Sequence, residues 1–244
     1  MESPHKKIAL ITGANKGIGL ETSRQLAREG FTVLLGTRDA DRGLATEKLL
    51  RDEGFDAHHM KLDVTDPADR AAVAKSIAER FGWLDVLVNN AGTVLDRGVP
   101  TSEVSDDILR RTFDLNFFST VALTQKLLPL IRKSTAGRIV NVSSNLGSLT
   151  NHGDPASSTY HVKFLAYNAS KTALNAFTVH LAHELKDTPI KVNSAHPGWV
   201  KTDMGGDEAP MDAVDGAKTS VQLATLLADG PTGGFFHLGE SIPW

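Results

Sequence analysis

Residues 8–39, IALITGANKGIGLETSRQLAREGFTVLLGTRD, contain the pattern that decides the fold class of this chain. A short apolar run predicts a strand over 8–11, and the apolar spacing after a glycine-rich turn predicts a helix over 17–29. A second apolar run predicts a strand over 31–35. Because neither run alternates with polar residues, both indicate strands that are buried on two faces, as in a parallel sheet.

Short apolar runs and longer helical patterns continue to alternate along the rest of the chain. Further strands are predicted over 58–62, 84–88, 138–142, 190–195 and 235–238, and helices over 41–53, 67–80, 105–130, 167–185 and 212–228. Seven strands joined by six helices predict a Rossmann-type, doubly wound α/β fold, in which a seven-stranded parallel sheet lies between two helical layers. We expect residues 1–244 to form a single domain of this kind.

The composition excludes several classes of function. The chain has 244 residues and a formal net charge of −3, so it lacks a basic field that could hold a nucleic acid backbone. It has no cysteine, which excludes disulfides and thiolate metal ligands and fits a reducing compartment. No secretory signal and no stretch long enough to span a membrane are recognisable. We therefore expect a cytoplasmic protein with neither nucleic acid nor membrane partners.

The turn after the first strand, Thr12 to Gly19, has the spacing G-x-x-x-G-x-G. Glycines permit a tight turn and a close approach of the backbone, and the N-terminus of the following helix offers unpaired N–H groups to an anion. Since the turn lies inside a strand–helix–strand unit, it predicts a site for the pyrophosphate of a dinucleotide.

The end of the second strand indicates which dinucleotide is bound. An acidic residue at this position accepts hydrogen bonds from ribose hydroxyls, whereas a nearby arginine accommodates a 2′-phosphate. Arg38 is the first charged residue here, and Lys16 in the glycine turn supplies a second cation. Two converging cations suit a phosphate, so we predict NADP(H) as the cofactor. Asp39 is the alternative, because it could serve a ribose.

Tyr167 and Lys171 are four positions apart and lie on one face of a predicted helix. A phenol has a pKa of about 10, and a nearby ammonium and an oxidised nicotinamide are expected to lower the pKa of Tyr167 towards the range useful for proton transfer. Ser143 and Ser144 end the fifth strand, where a hydroxyl can hold a carbonyl oxygen. The absence of a G-x-S-x-G elbow argues against a nucleophilic serine.

Several other polar features leave more than one interpretation. Asn116 lies among apolar residues, and it is either a buried structural amide or part of the site. Segments 145–166 and 203–211 fit no strand or helix and follow the carboxyl ends of strands, so we expect them to wall a substrate pocket, with plain surface loops as the alternative. His196 is either a bystander or an influence on the pH dependence. The histidines do not form a metal-ligand set, and we predict no metal site.

Taken together, these residues resemble the short-chain dehydrogenase/reductase family over nearly the whole chain. Asn89-Asn90-Ala91-Gly92 is similar to its signature after the fourth strand, Asp63-Val64 to its adenine contact, and Pro197-Gly198 with Val200 and Thr202 to its nicotinamide segment. The resemblance implies a catalytic tetrad of Asn116, Ser144, Tyr167 and Lys171. It implies cofactor contacts at Gly13, Asn15, Lys16, Gly17, Ile18, Gly19, Arg38, Asp63, Val64, Asn90, Gly92, Tyr167, Lys171, Pro197, Gly198, Val200 and Thr202.

A narrower resemblance, carried by residues 15–20, 37–39 and 197–204, is to the NADPH-dependent carbonyl reductase branch of that family. It implies hydride transfer from NADPH to a small-molecule ketone or aldehyde. Tyr167 would give the proton, Ser144 would position the carbonyl oxygen, and Lys171 would hold the nicotinamide ribose and lower the Tyr167 pKa. Asn116 would anchor a water that links Lys171 to solvent.

Two other functions remain open within the same fold. One is a 3-oxoacyl thioester reductase, for which we find no basic patch that would receive an acidic carrier. The other is a catalytically silent NADP-sensing protein, against which the intact tetrad argues. The resemblance leaves undecided whether the chain acts as a monomer or as a homo-oligomer.

Overall fold

The computed structural model describes residues 6–244. Its strands are β1 (Ile8–Thr12), β2 (Thr32–Thr37), β3 (Ala57–Lys61), β4 (Val86–Asn89), β5 (Arg138–Val142), β6 (Lys191–Ala195), β7 (Phe235–His237) and β8 (Glu240–Ser241). Its α-helices are α1 (Gly17–Arg28), α2 (Ala40–Asp52), α3 (Pro67–Arg80), α4 (Asp106–Phe113), α5 (Ser119–Ile131), α6 (Leu149–Gly153), α7 (Leu165–Glu184) and α8 (Ala213–Ala224). None of the helices within the described residues has both the length and the apolar character of a membrane span.

The strands form one sheet in the order β3-β2-β1-β4-β5-β6-β7-β8, which confirms the Rossmann-type fold. The first seven strands are parallel, as predicted. The predicted count of seven is one too low, because β8 returns antiparallel to β7 with His237 opposite Glu240. The two residues between them, Leu238 (φ 48°) and Gly239 (φ 90°), both have positive φ, as a tight two-residue hairpin requires. A strand of two residues is too short to give a sequence signal.

Side chains that alternate along each strand fill two cores, one on each face of the sheet. Ile8 and Leu10 of β1 pack in a core with Ile77 of α3 and Leu127 of α5. Ala9 and Ile11, the alternate residues of β1, pack in a second core with Leu26 of α1, Leu50 of α2 and Leu223 of α8. This division explains why β1 is apolar from Ile8 to Ile11 and places helices in layers on both sides.

The helix predicted over 105–130 is interrupted. Between α4 and α5 the chain forms one π-helical turn, Asp114–Phe118, and such turns are frequent at functional sites. The predicted loop over 145–166 also contains structure, namely a 3₁₀ turn (Asn145–Gly147) and the short helix α6. Both features depend on tertiary contacts and are invisible to periodicity.

The order of the sheet determines where a ligand fits. From β1 the chain builds outward to β2 and β3 on one side, and it then crosses to β4 on the other. At such a reversal the loops diverge and leave a crevice beyond the carboxyl ends of the strands. The glycine turn after β1 and the Asn89–Gly92 segment lie at this switch point.

Candidate active site

Backbone contacts hold the glycine turn between β1 and α1. Gly13 (φ 66°) and Gly17 (φ 53°) adopt left-handed conformations that other residues rarely adopt. The N–H of Gly13 donates to the carbonyl oxygen of Gly36 at 2.8 Å. A Cβ on Gly19 would overlap the Gly13 carbonyl oxygen and would lie 2.6 Å from Asn90 Nδ2. Gly13 and Gly17 are therefore favoured by their backbone conformation, and Gly19 is required because a Cβ has no room there.

The N-terminus of α1 fits an anionic group. Among the residues that the structure describes, no side chain caps this helix, and its first turn holds no acidic residue. Unpaired N–H groups and the positive end of the helix dipole favour a phosphate at such a position. Gly17, Ile18 and Gly19 line a cavity of about 770 Å³. This end of the helix suits the pyrophosphate of a dinucleotide.

The end of β2 presents a free cation. Arg38 is exposed, lines the same cavity and forms no ion pair within the described chain. Asp39 accepts from the backbone N–H of Arg42 at 3.0 Å and so caps α2, and its other oxygen lies 3.5 Å from the Arg42 side chain. Lys16 pairs with Asp203 on the facing loop. Because the Asp39 carboxylate is engaged at the helix cap, the ribose alternative is disfavoured, and Arg38 is available for a phosphate.

Hydrogen bonds join the segment after β4 to the glycine turn. Thr12 Oγ1 accepts from the backbone N–H groups of Asn90 and Ala91, each at 2.9 Å. Asn90 Nδ2 donates to the Thr12 carbonyl oxygen at 2.8 Å. Asp63, after β3, accepts from the Thr65 hydroxyl at 2.7 Å and also lines the cavity. These bonds fix one wall of the crevice.

Tyr167 and Lys171 lie on one face of α7, and both side chains are buried. Lys171 Nζ is 5.7 Å from the centre of the Tyr167 ring and donates to the Val142 carbonyl oxygen at 2.8 Å. An ammonium has three donors. In the described chain two of them are left for a ligand or a water.

The pKa of Tyr167 differs from the sequence-based expectation. Burial raises the pKa of Tyr167 to about 12, while the Ser144 hydroxyl and the Arg97 charge act in the opposite direction. Burial also lowers the pKa of Lys171 to about 8. Removal from water disfavours the charged form of each group, which is the phenolate of Tyr167 and the ammonium of Lys171. In the chain alone the pKa of Tyr167 thus lies above its ordinary value, and the lowering expected beside Lys171 and an oxidised nicotinamide stays a prediction.

Ser143 and Ser144 have different surroundings, although both are buried. The Ser143 hydroxyl donates to the Lys171 carbonyl oxygen at 3.5 Å. The Ser144 oxygen accepts from the Leu146 N–H at 3.2 Å and lies near enough to Tyr167 to influence its pKa. Of the two, Ser144 is the hydroxyl associated with the phenol.

Asn116 lies in the π-helical turn and is 1% exposed. Its Oδ1 accepts from the Thr93 N–H at 2.8 Å, and its Nδ2 donates to the Thr93 carbonyl oxygen and to Ser170 Oγ at 2.9 and 3.0 Å. Asn116 thus ties the segment after β4 to α7, as the structural interpretation requires. A Cβ on Gly92 would lie 3.3 Å from Asn116 Oδ1 and 3.5 Å from Lys171 Nζ, so the two polar atoms border the same space.

The cavity beside α1 meets a second cavity of about 580 Å³ at Tyr167. Of the predicted cofactor residues, the first cavity is lined by Gly13, Asn15, Lys16, Gly17, Ile18, Gly19, Arg38, Asp63, Val64, Asn90, Gly92, Tyr167, Lys171, Pro197 and Thr202. Gly198, Val200 and Ser144 line only the second cavity, and Asn116 lines neither. Parts of both predicted loops, including Phe164 and Met204, also line the second cavity.

The model of the short chain dehydrogenase family matches residues 7–213. The chain belongs to this family. Family membership makes it an oxidoreductase. The glycine turn, the segment after β4 and the Tyr167–Lys171 pair all lie inside the matched region.

Known relatives in this family match nearly the whole of this chain. Salutaridine reductase of Papaver bracteatum is 34% identical, and the alignment covers 96% of this chain and 95% of the reductase. Carbonyl reductase [NADPH] 1 of Mus musculus is 33% identical and covers 99% of this chain and 100% of its own. The crystal structure of NADPH-bound carbonyl reductase from chicken fatty liver superposes with a TM-score of 0.86 at 28% identity and covers 98% of this chain and 99% of its own.

Sequence reasoning missed two residues that follow the Asn89–Gly92 signature of this short chain dehydrogenase. Arg97 lines both cavities. Asp96 is fully buried, and its Oδ2 accepts from the Ala166 N–H in the first turn of α7 at 2.6 Å. The N-cap residue Phe164 makes no side-chain cap within the described chain, so Asp96 serves that end of the helix from 70 positions away. Their place after the carboxyl end of β4 was the one available signal.

Asp96→Ala is expected to destabilise the protein by about 1–2 kcal/mol, because it removes the only side-chain acceptor found for this helix end among the described residues. Asp96→Asn retains an acceptor oxygen and should lower the free energy of unfolding by less. Urea unfolding of the wild type and both variants measures the difference. Equal midpoints for Asp96→Ala and the wild type would show that the cap contributes nothing.

His196 does not titrate near neutral pH. Burial and the nearby His237 lower the pKa of His196 to about 3, so its ring is uncharged at pH 7. The interpretation of His196 as an influence on the pH dependence is therefore wrong. Within residues 6–244 there is also no group of three or more His, Cys, Asp or Glu side chains placed to hold a metal ion.

Proposed function

We propose that this short chain dehydrogenase is an NADPH-dependent carbonyl reductase that converts a ketone or an aldehyde into an alcohol. The observation that carries the proposal is the position of Tyr167. Its side chain lines both the groove beside α1 and the second cavity, so a cofactor in the first and a carbonyl compound in the second would meet at the phenol. Ser144 and Lys171 flank that point.

The choice of NADP(H) rests on the end of β2. Arg38 is unpaired among the described residues, and Asp39 is engaged in capping α2. A guanidinium fits a phosphate dianion with two parallel hydrogen bonds. Relatives that carry NADPH in their names, such as the mouse carbonyl reductase, support the same choice.

In the proposed reaction, bound NADPH supplies the hydride. The Tyr167 O–H donates its proton to the carbonyl oxygen, and a phenolate remains. The Ser144 hydroxyl donates a hydrogen bond to the same oxygen and holds it near the phenol. Lys171 would use its two free donors to hold the ribose and to return a proton to the Tyr167 phenolate. A water in the space beside Gly92 would connect Lys171 to Asn116 Oδ1.

The raised pKa of Tyr167 suits the role of a proton donor. A phenol with a pKa of about 12 keeps its proton throughout the neutral range and is ready to act as an acid. The alkoxide that forms on the substrate is more basic still, so the transfer is downhill.

The proposal is tested with a panel of ketones, aldehydes, quinones and a 3-oxoacyl thioester, each offered with NADPH and with NADH. The loss of absorbance at 340 nm reports turnover. Reduction of ketones or aldehydes with NADPH supports the proposal. Turnover of the thioester alone would favour the 3-oxoacyl reductase, and NADPH binding without any turnover would favour the sensor.

Arg38→Leu should raise the KM for NADPH by about 10- to 100-fold, because it removes a charge-assisted contact to the 2′-phosphate. The KM for NADH should stay the same, since NADH has no phosphate there. Arg111→Leu is the matched control, because Arg111 pairs with Asp107 on the surface of α4, away from both cavities. A KM for NADPH that Arg38→Leu leaves unchanged would place the phosphate elsewhere.

A further inference from the structure

Arg97 is a cation at the reaction centre to which the proposed mechanism gives no task. It lies in the loop after β4 and lines both cavities. Its side chain is exposed, and it has no carboxylate partner among the described residues. A solvent-accessible guanidinium without an acidic partner is available to an anionic ligand.

Two contacts orient Arg97 but leave most of its donors free. One nitrogen donates to the Met204 carbonyl oxygen on the loop after β6. The guanidinium carbon lies 5.7 Å from the centre of the Phe164 ring, within the range of a cation–π contact. A guanidinium has five N–H donors, and in the described chain only one makes a hydrogen bond.

Arg97 differs in charge from the other described residues that line the second cavity. Among the described residues that line this cavity there is no Asp, Glu or Lys, and Arg97 is the only charged side chain. His196 also lines it but is neutral at pH 7. Most other walls are apolar or carry hydroxyls, with Val162, Phe164 and Trp199 among the large ones. A cavity with apolar walls and a single positive charge complements an apolar molecule with one negative charge.

We propose that Arg97 binds a carboxylate of the substrate, so that the protein prefers keto acids with an aryl or branched apolar group. This inference rests on the proposed function and specifies its substrate class. The planar fork of the guanidinium donates two parallel hydrogen bonds to a carboxylate, which would fix where the carbonyl to be reduced lies relative to Tyr167. Arg97 is then a specificity-determining residue, and Tyr167 and Ser144 act on the carbonyl.

The alternative is that Arg97 only holds the loop that carries Met204. The two roles give different results with a matched pair of substrates, benzoylformate and its methyl ester, which share the ring and the reacting carbonyl and differ in charge. A loop-holding role affects both substrates alike, whereas recognition of a carboxylate affects only the acid.

The test compares kcat/KM for this pair in the wild type, Arg97→Lys and Arg97→Met. We expect Arg97→Met to lower kcat/KM for the acid by about 10- to 100-fold and to change the value for the ester by less than about 3-fold. Arg97→Lys keeps the charge but loses the planar fork, so its kcat/KM for the acid should lie between those of the wild type and Arg97→Met. Arg110→Met is the matched control, because Arg110 pairs with Asp106 on exposed α4 and both substrates should be unaffected.

A binding measurement separates failure of this inference from failure of the proposed function. Calorimetric titration of the NADP⁺-loaded and the cofactor-free wild type with benzoate and with the neutral benzamide should show preference for benzoate, and Arg97→Met should abolish it. Reduction of the ester together with equal losses for both substrates in Arg97→Met would overturn the inference and leave the reductase standing. Arg97-dependent benzoate binding with no reduction of any carbonyl would overturn the reductase and leave the anion site.

Discussion

The Tyr167→Phe variant is expected to reduce carbonyl compounds about 10²- to 10⁴-fold more slowly than the wild type, which is the contribution typical of a positioned general acid. The substitution removes one oxygen and retains the ring, which is buried between the two cavities. The neighbouring Ser144 hydroxyl is a much weaker acid than a phenol and does not replace it as the proton donor. Steady-state kcat with NADPH and a substrate from the panel measures the loss.

The control for this result is NADPH binding. The dissociation constant of Tyr167→Phe should stay within about 3-fold of the wild type, because a single neutral hydrogen bond contributes little net free energy. Tyr160→Phe is the matched variant: Tyr160 is the other tyrosine of the chain, its ring contacts His161 and Lys163, and it lines neither cavity. Near-normal turnover by Tyr167→Phe would refute the assignment of the proton donor.

Gly19→Ala is the second substitution with a large expected effect. The added Cβ would overlap the Gly13 carbonyl oxygen, and backbone cannot rotate away as a flexible side chain can. The turn must then shift, which we expect to cost about 1–3 kcal/mol of stability, as overpacking does. Because the turn positions the N–H groups of α1, the dissociation constant for NADPH should rise by at least about 10-fold.

Gly153→Ala is the control for this effect. A Cβ at Gly153 meets nothing within 4 Å, and its φ is not positive, so its stability and affinity should match the wild type. Fluorescence titration with NADPH and urea unfolding of both variants give the two quantities. If Gly19→Ala bound NADPH as tightly as Gly153→Ala, the pyrophosphate would not lie on the glycine turn.

Several features of this protein could be predicted from sequence because their causes are local. The apolar runs gave the seven parallel strands, since burial on two faces leaves a direct mark on each strand. The glycine turn could be identified because its backbone needs residues without a Cβ at fixed spacing. Tyr167 and Lys171 share a face because helical geometry places positions four apart together. Their roles in catalysis remain predictions that the variants above test.

Other features were decided only by the tertiary structure, because they depend on residues far apart in the chain. Asp96 caps α7 across 70 positions, and no local pattern marks a cap supplied from so far away. Arg97 can be proposed as an anion site only because the other described residues that line its cavity are uncharged. The pKa of Tyr167 is raised because packing removes it from water, whereas its sequence neighbour Lys171 suggested the opposite. Burial and long-range contact set the electrostatics of this site, and neither is written in the spacing of its residues.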